Sequence, residues 1–366
     1  MHGTKILTET DRLMTVCNSC RYCEGLCAVF PAMEMRRTFT AGDLNYLANL
    51  CHQCGACYTD CQYSPPHEFD VNVPKAFAAL RRDSYAQYAW PGFFRRAFAS
   101  NGFVVGFLAV LSLAGFLLGF LALVSPAALY ARQGGDFYRL MSHNAMVVVF
   151  GVVALFCILS FAISMRAFWR DVRGSESAPG FAGFWRAVAD SAHLTYLHGG
   201  GGGCTSEDEA PSAARRMYHH LTFYGFLLCF AATCVATVYH YAFGWFAPYP
   251  VLSVPVVLGT LGGVGLILGP IGLLVLTAKR EAILTDAGQR GMNTAFLLML
   301  LLVSVTGLLL LALRDTNAMG VLLAIHLGFV LGLFFSLPYG KFVHGLYRFL
   351  ALVKYAGERK KGVFIE

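Results

Sequence analysis

The sequence predicts a mainly α-helical membrane protein in which a cysteine-rich N-terminal segment precedes a bundle of six transmembrane helices. Hydrophobic residues make up 57% of the 366 residues and charged residues only 13%, about half the charged share of a typical soluble protein. Eight of the twelve cysteines fall in two short motifs near the N-terminus. Six apolar stretches follow, each long enough to cross the hydrocarbon core of a bilayer.

The net charge of +7 does not indicate nucleic-acid binding, because the basic residues lie beside the apolar stretches, where membrane proteins concentrate them. Residues 1–16 are polar and lack the apolar core of a signal peptide. The pair Arg36-Arg37 precedes no apolar run. We therefore expect the N-terminus to stay in the cytoplasm.

The cysteine motifs are CNSCRYCEGLC, which starts at Cys17, and CHQCGACYTDC, which starts at Cys51. Because a cytoplasmic segment is kept reduced, metal binding is favoured over disulfide bonds. A zinc site usually joins two CxxC pairs through a longer loop. The run C-x2-C-x2-C-x3-C is instead the bacterial ferredoxin signature. It predicts a ferredoxin-like segment with two [4Fe-4S] clusters at residues 1–90.

In paired motifs of this kind the fourth cysteine usually serves the other cluster. The first cluster is therefore assigned Cys17, Cys20, Cys23 and Cys61, and the second Cys51, Cys54, Cys57 and Cys27. Ala28 and Gln62 stand where ferredoxins have proline after the fourth cysteine. We expect the nearby His52 and His67 to face solvent or form hydrogen bonds rather than bind iron.

Residues 91–366 contain the six candidate spans of a cytochrome b-like membrane domain. The spans are Gly102–Leu123, Asn144–Met165, His220–Tyr241, Val251–Thr277, Asn293–Leu313 and Met319–Leu337. Alternate loops carry most of the basic residues, which are Arg95, Arg96, Arg166, Arg170, Arg173, Arg215, Arg216, Lys279, Arg280, Lys341 and Arg348. The opposite loops carry few, with Arg132, Arg139 and Arg314 as the exceptions. Since lysine and arginine concentrate in cytoplasmic loops, this pattern predicts a multi-pass membrane protein with both termini in the cytoplasm.

The loop at about residues 166–218 contains HLTYLHGGGGGC, with Cys204 at its end. It has neither a G-x-G-x-x-G turn between a strand and a helix nor a Walker lysine. We therefore expect a flexible cytoplasmic loop that docks a partner, rather than a nucleotide site.

Four histidines lie at matching depths: two on the third span, one on the sixth span and one just past its cytoplasmic end. His220 and His240 are separated by about 30 Å of helix, and His326 and His344 by about 27 Å if the helix continues. From their depth in the membrane we pair His220 with His344 near the cytoplasmic face, and His240 with His326 near the outer face. Two such pairs are typical of helical bundles that hold haem by bis-histidine ligation. The sequence thus predicts one or two haem b groups.

Several alternatives stay open at this stage. His219 rivals His220 as a ligand, and His143 is a weaker candidate. The histidines at span ends could also be interfacial residues without a cofactor. Three further cysteines are expected to be small apolar groups without chemistry, namely Cys157, Cys229 and Cys234.

Three stretches carry a family resemblance: CRYCEGLCAVFPAM, CHQCGACYTDCQYSPPHEF and RRMYHHLTFYGFLLCFAATCVATVYHY. The chain resembles the tricarballylate utilization protein B or citrate utilization protein B family. The resemblance implies a protein of the bacterial inner membrane that reoxidises an FAD-dependent flavoprotein, tricarballylate dehydrogenase, and passes its electrons to membrane quinone. AIHLGFVLGLFFSLPYGKFVH is similar to the last span of nitrate reductase gamma-type cytochrome b. That similarity implies His326 and His344 as haem ligands.

The sequence contains no flavin or nicotinamide fingerprint, so the organic oxidation is expected on the partner. One rival is an electron-transfer subunit of another dehydrogenase or reductase, such as a heterodisulfide reductase-like system. The second rival is a transporter with a redox-sensing head, because GTLGGVGLILGPIG in the fourth span has the glycines and proline of broken transporter helices.

Overall fold

Helices account for nearly all regular structure in the computed structural model, which describes residues 4–174, 180–207 and 210–360. The helices are α1 (Lys5–Cys20), α2 (Val29–Glu34), α3 (Ala41–Leu50), α4 (Ala56–Thr59), α5 (Val73–Tyr88), α6 (Asn101–Leu123), α7 (Pro126–Leu129), α8 (His143–Val172), α9 (Phe181–His193), α10 (Ala214–Phe243), α11 (Val254–Lys279), α12 (Ala287–Ala312), α13 (Met319–Ser336) and α14 (Val343–Lys360). Within these ranges the one β feature is an isolated bridge between Cys204 and Ser212. Parts of the predicted loop (175–179 and 208–209) and the end of the chain (361–366) lie outside the described ranges.

The first five helices pack into a unit that we call the head, residues 4–98. Its core is apolar and almost fully buried, and includes Leu13, Phe30, Tyr46 and Phe77. The helix ends follow local sequence rules: Thr40 and Asp43 form a reciprocal capping box at the start of α3. The core fixes the positions from which both cysteine motifs project.

Six helices are long and apolar enough to cross a membrane, which confirms the predicted set of six spans. They are α6, α8, α10, α11, α12 and α13, and their bounds agree with the predicted spans within about two turns. Their outward faces expose apolar side chains such as Phe103, Leu121 and Leu155. This supports a multi-pass protein associated with a lipid bilayer.

The glycine-rich part of α11 lies against α10. A Cβ atom added at Gly262 would lie 2.8 Å from the carbonyl oxygen of Gly225, and one added at Gly269 would lie 2.7 Å from the backbone nitrogen of Thr222. Such close approach of two helices needs small residues. Helix packing thus accounts for the feature that suggested a transporter.

Helix α14 joins the head to the membrane bundle and packs against α3, α8 and α9. The hydroxyl of Tyr46 donates to Glu358 at 2.7 Å, and the Arg36 guanidinium pairs with both Glu358 and Asp43. Glu358 is only 4% exposed. Helix α14, which carries His344 and Arg348, was not predicted from the sequence as a separate element.

The described part of the loop before α10 is ordered against the head rather than flexible. The backbone N–H of Gly200 donates to Leu26 at 2.9 Å, and that of Thr205 donates to Cys54 at 2.8 Å. Gly200 and Gly203 have φ of 73° and 122°, which glycine adopts without strain. The glycines therefore let this segment follow the surface of the second cysteine motif.

Candidate functional site

The first candidate site is a cavity in the head that is lined by one set of four thiols. These are Cys17, Cys20, Cys23 and Cys61. Cys17 and Cys20 lie on the last turn of α1, which ends where Arg21 adopts a left-handed conformation. The wall also includes Phe30, Val73 and Cys57.

The second cavity is lined by the other set. These thiols are Cys27, Cys51, Cys54 and Cys57. Phe30, Val73 and Cys57 line both cavities, so the two sites share a wall. The division of the thiols is the one that the crossed assignment predicts, and the ligation itself stays a prediction.

Backbone N–H groups point at the sulfur atoms. The N–H of Gln53 donates to the Cys51 sulfur at 3.3 Å, and the sulfur of Cys54 accepts from the backbone of Ala56. Gln53 has φ of 54°, which turns the chain so that its N–H reaches the sulfur two residues earlier. Bonds of this kind stabilise the thiolate form that iron requires.

Burial raises the pKa of the Cys17 thiol to about 12 and that of the Cys54 thiol to about 11. They therefore stay protonated at neutral pH unless a metal replaces the proton. The described residues contain no group of three or more metal-ligating side chains placed for a single metal ion. The four thiols at each cavity supply the number of ligands that a [4Fe-4S] cluster needs.

Four arginines from four helices hold the second motif against the membrane bundle. Arg81 of α5 and Arg348 of α14 donate to the carbonyl of Cys51 at 2.9 and 2.6 Å. Arg215 of α10 and Arg280, the C-terminal cap of α11, donate to the carbonyl of Gln53. This layer places positive charge beside the second cavity, where bound thiolates would carry negative charge.

The structure brings His219, rather than His220, next to His344. The centroids of the His219 and His344 rings lie 6.2 Å apart, and the ring planes cross at 74°. Two imidazoles that bind opposite sides of one metal, each nitrogen about 2.0 Å from it, have centroids about 6 Å apart. The separation of this pair therefore fits bis-histidine ligation.

The hydrogen bond of His344 fixes which ring nitrogen is free. Its Nδ1 lies 2.6 Å from the carbonyl oxygen of Lys341. Because a carbonyl only accepts, Nδ1 carries the hydrogen and Nε2 is left to bind a metal. Burial, Lys341 and Arg348 lower the pKa of His344 well below its ordinary value, which keeps the ring neutral.

His220 lies on another face of α10, because successive residues of a helix are rotated by about 100°. It lines an open groove of about 490 Å³ with Arg216, Tyr224 and apolar side chains of α10 and α11. Arg216 and Tyr224 are tied to carbonyls at the end of α9. The depth-based pairing of His220 with His344 fixes height along the helix but not rotation, and the rotation favours His219.

The two histidines predicted for the outer side are not brought together by the described contacts. His240 stacks on His143 with centroids 3.7 Å apart. The Nδ1 of His326 lies 3.1 Å from the Thr306 hydroxyl of α12. Helix α10 packs mainly against α11, while α13 packs mainly against α6 and α12. A second bis-histidine pair therefore has no counterpart among these contacts.

The fold and the cysteine-lined cavities define a multi-pass membrane protein with a ferredoxin-type head, an arrangement that fits electron transfer. The profile described as Citrate utilization protein B matches residues 101–363, and that of the Citrate utilization protein B Fer4-like domain matches residues 10–87. The chain is 52% identical over 363 residues to Citrate utilization protein B of Escherichia coli, covering 98% of this chain and 95% of that protein. No solved structure matched. The chain belongs to the citrate utilization protein B family.

Proposed function

We propose that this protein passes electrons from a reduced flavoprotein dehydrogenase through two [4Fe-4S] clusters and haem b to quinone in the membrane. The observation that carries the proposal is the continuity of three candidate sites. The two thiol cavities share a wall. Arg348, which binds the carbonyl of Cys51, lies on the same helix as His344. Iron–sulfur and haem groups at these sites would supply reversible one-electron storage.

The head is where electrons enter. Tyr22 beside the first cavity is 72% exposed, whereas Cys51 in the second is 7% exposed. A donor protein therefore reaches the first cavity more closely, and the second cavity lies toward the membrane bundle. Phe30 and Val73 in the shared wall exclude water between the two sites. The arginines that hold Cys51 and Gln53 favour added negative charge at the second site.

His219 and His344 are the side chains that would hold haem b. The carbonyl of Lys341 orients the His344 ring, and His219 approaches from α10. We place one haem at this pair. The site lies on the head side of the bundle, where the basic loops indicate the cytoplasm.

The open groove beside His220 is the proposed quinone site. Its volume of about 490 Å³ falls in the usual range for ligand sites. Leu228 and Leu261 supply apolar lining, and His220 and Tyr224 supply polar groups. Because His220 follows His219 directly in α10, electron transfer from the haem to this groove would cross a short distance.

The donor is proposed to be an FAD-dependent enzyme, tricarballylate dehydrogenase, in the bacterial cytoplasm. The name of the Escherichia coli relative refers to citrate utilization, which is consistent with a tricarboxylate pathway. A different dehydrogenase would use the same electron path, so only the donor distinguishes the two cases.

The path can be tested with anaerobic protein in lipid nanodiscs. Free reduced FMN serves as a non-specific donor and decylubiquinone as acceptor, and the haem absorption is followed in wild type and Cys20→Ala. We expect rapid haem reduction in wild type, slow reduction in Cys20→Ala, and reoxidation by the quinone. Equal reduction rates in the two proteins, or no reoxidation, would contradict the path. Replacing FMN by tricarballylate dehydrogenase with its substrate tests the donor separately.

A further inference from the structure

Five cationic side chains converge at the boundary between the head and the membrane bundle. They are Arg81, Arg215, Arg280, Lys341 and Arg348. All four arginines interact electrostatically with Lys341. Like charges brought together inside a protein destabilise the fold unless other groups compensate them.

Among the described residues the arginines bind backbone carbonyls or carboxylates, but the ammonium group of Lys341 does not. Arg81 and Arg348 bind the carbonyl of Cys51, and Arg280 lies 4.0 Å from the carboxylate of Glu207. Within the part of the chain that the structure describes, the ammonium of Lys341 has no hydrogen bond and no ion pair. Enclosing an unpaired ammonium costs free energy. An anion bound beside Lys341 would therefore stabilise the protein.

Lys341 borders an internal space. It is surrounded by protein, yet it retains some accessible surface. His219 and His344 show the same combination. These three side chains therefore face a space that the chain does not fill.

This space is adjacent to the candidate haem ligands. Lys341 precedes His344 by three residues and its carbonyl accepts from the His344 ring. The hydroxyl of Tyr85 interacts electrostatically with Arg81 and Arg348 and has no hydrogen-bond partner among the described residues. It is therefore a further buried donor in this region. Ammonium, guanidinium and phenol groups together are suited to bind carboxylates.

We propose that Lys341, together with Arg348, binds the two carboxylates of the porphyrin that His219 and His344 hold. This inference rests on the proposed haem site and adds the residues that recognise its anionic edge. The porphyrin carboxylates supply the missing negative charge, and the cations fix the orientation of the ring.

The test compares haem with its dimethyl ester, which lacks both charges. Protein produced without haem is titrated with each compound in detergent, for wild type, Lys341→Gln and the control Lys279→Gln. Lys279 is exposed at the end of α11. We expect wild type and Lys279→Gln to bind haem about tenfold or more tighter than the ester. In Lys341→Gln this preference should shrink, because the variant loses affinity for haem but little for the ester.

If Lys341 has only a structural role, Lys341→Gln should weaken the binding of haem and of the ester equally. That result would overturn the inference. Equal affinity of wild type for haem and ester would also overturn it while leaving the haem site intact. If wild type binds neither compound, the haem part of the proposed function fails and this inference fails with it. A second readout is the haem midpoint potential, which should fall in Lys341→Gln because a nearby positive charge favours the reduced form.

Discussion

The imidazole rings of His219 and His344 lie 6.2 Å apart, with ring planes crossing at 74°. His219 belongs to the spanning helix α10, and His344 belongs to α14, which packs against the head. The pair therefore joins the membrane bundle to the unit that carries the cysteine motifs. Arg348, one turn beyond His344, reaches the carbonyl of Cys51. This contact makes the histidine pair and the second thiol cavity neighbours.

The crossed ligation predicts which cysteine variants resemble each other. Cys27→Ala should lose the same cluster signal as Cys54→Ala, because both thiols line the second cavity. Cys61→Ala should instead match Cys20→Ala. Electron paramagnetic resonance of the reduced proteins measures this, with Cys204→Ala as a buried-thiol control that retains both signals. A Cys27→Ala spectrum that matches Cys20→Ala would reject the crossing.

The link between the head and α14 should contribute strongly to stability. Glu358→Gln removes one of the two carboxylates that pair with the buried Arg36 and leaves only Asp43. Breaking a buried ion pair costs up to about 3–5 kcal/mol. The control Glu9→Gln removes an exposed pair with Arg12, worth about 0–1 kcal/mol. Denaturant unfolding followed by the cluster absorption compares the two. Similar midpoints for both variants would show that the link is not structural.

Close packing of α10 against α11 predicts a position-specific effect of alanine. A methyl group at Gly262 would meet the backbone and sulfur of Cys229 within 2.8 Å, whereas one at Gly259 would lie 3.7 Å from Ala232. Overpacking typically costs about 1–3 kcal/mol. Gly262→Ala should therefore lower the melting temperature in detergent, and Gly259→Ala should leave it nearly unchanged. The reverse order, or no difference, would argue against this packing.

The groove beside His220 predicts a separation of haem binding from quinone reduction. His220→Phe should retain the haem spectrum but slow reoxidation by decylubiquinone, because the groove loses a polar group. His240→Phe, at the opposite end of α10, is the matched control and should reoxidise normally. Stopped-flow absorption measures both rates. Slow reoxidation in His240→Phe alone would move the quinone site to the other membrane face.

The sequence was most informative where the signal is local. The three-residue spacing of Cys17, Cys20 and Cys23 is enough to predict a cluster motif. The length of an apolar stretch is enough to predict a membrane span. The histidine pairing depends on helix rotation, and adjacent residues such as His219 and His220 differ in facing by about 100°. Depth along the helix could not separate them.

The long-range contacts could not be predicted from the sequence either. Arg81 and Arg348 reach the carbonyl of Cys51 from separate helices. No local sequence pattern predicts that an arginine will bind a particular backbone carbonyl. The glycines before Cys204 were expected to be flexible, but backbone hydrogen bonds hold them on the head. The positive φ of consecutive glycines, which lets the segment follow the head, can be seen only in the structure.

The central claim is that His219 and His344 hold haem b at the end of the iron–sulfur path. The most direct measurement is the haem content and reduced-minus-oxidised spectrum of purified wild type, His219→Ala, His344→Ala and His220→Ala. The account predicts a haem b spectrum in wild type and in His220→Ala, and its loss in both His219→Ala and His344→Ala. Haem retained with an unchanged spectrum in His219→Ala and His344→Ala would contradict the account.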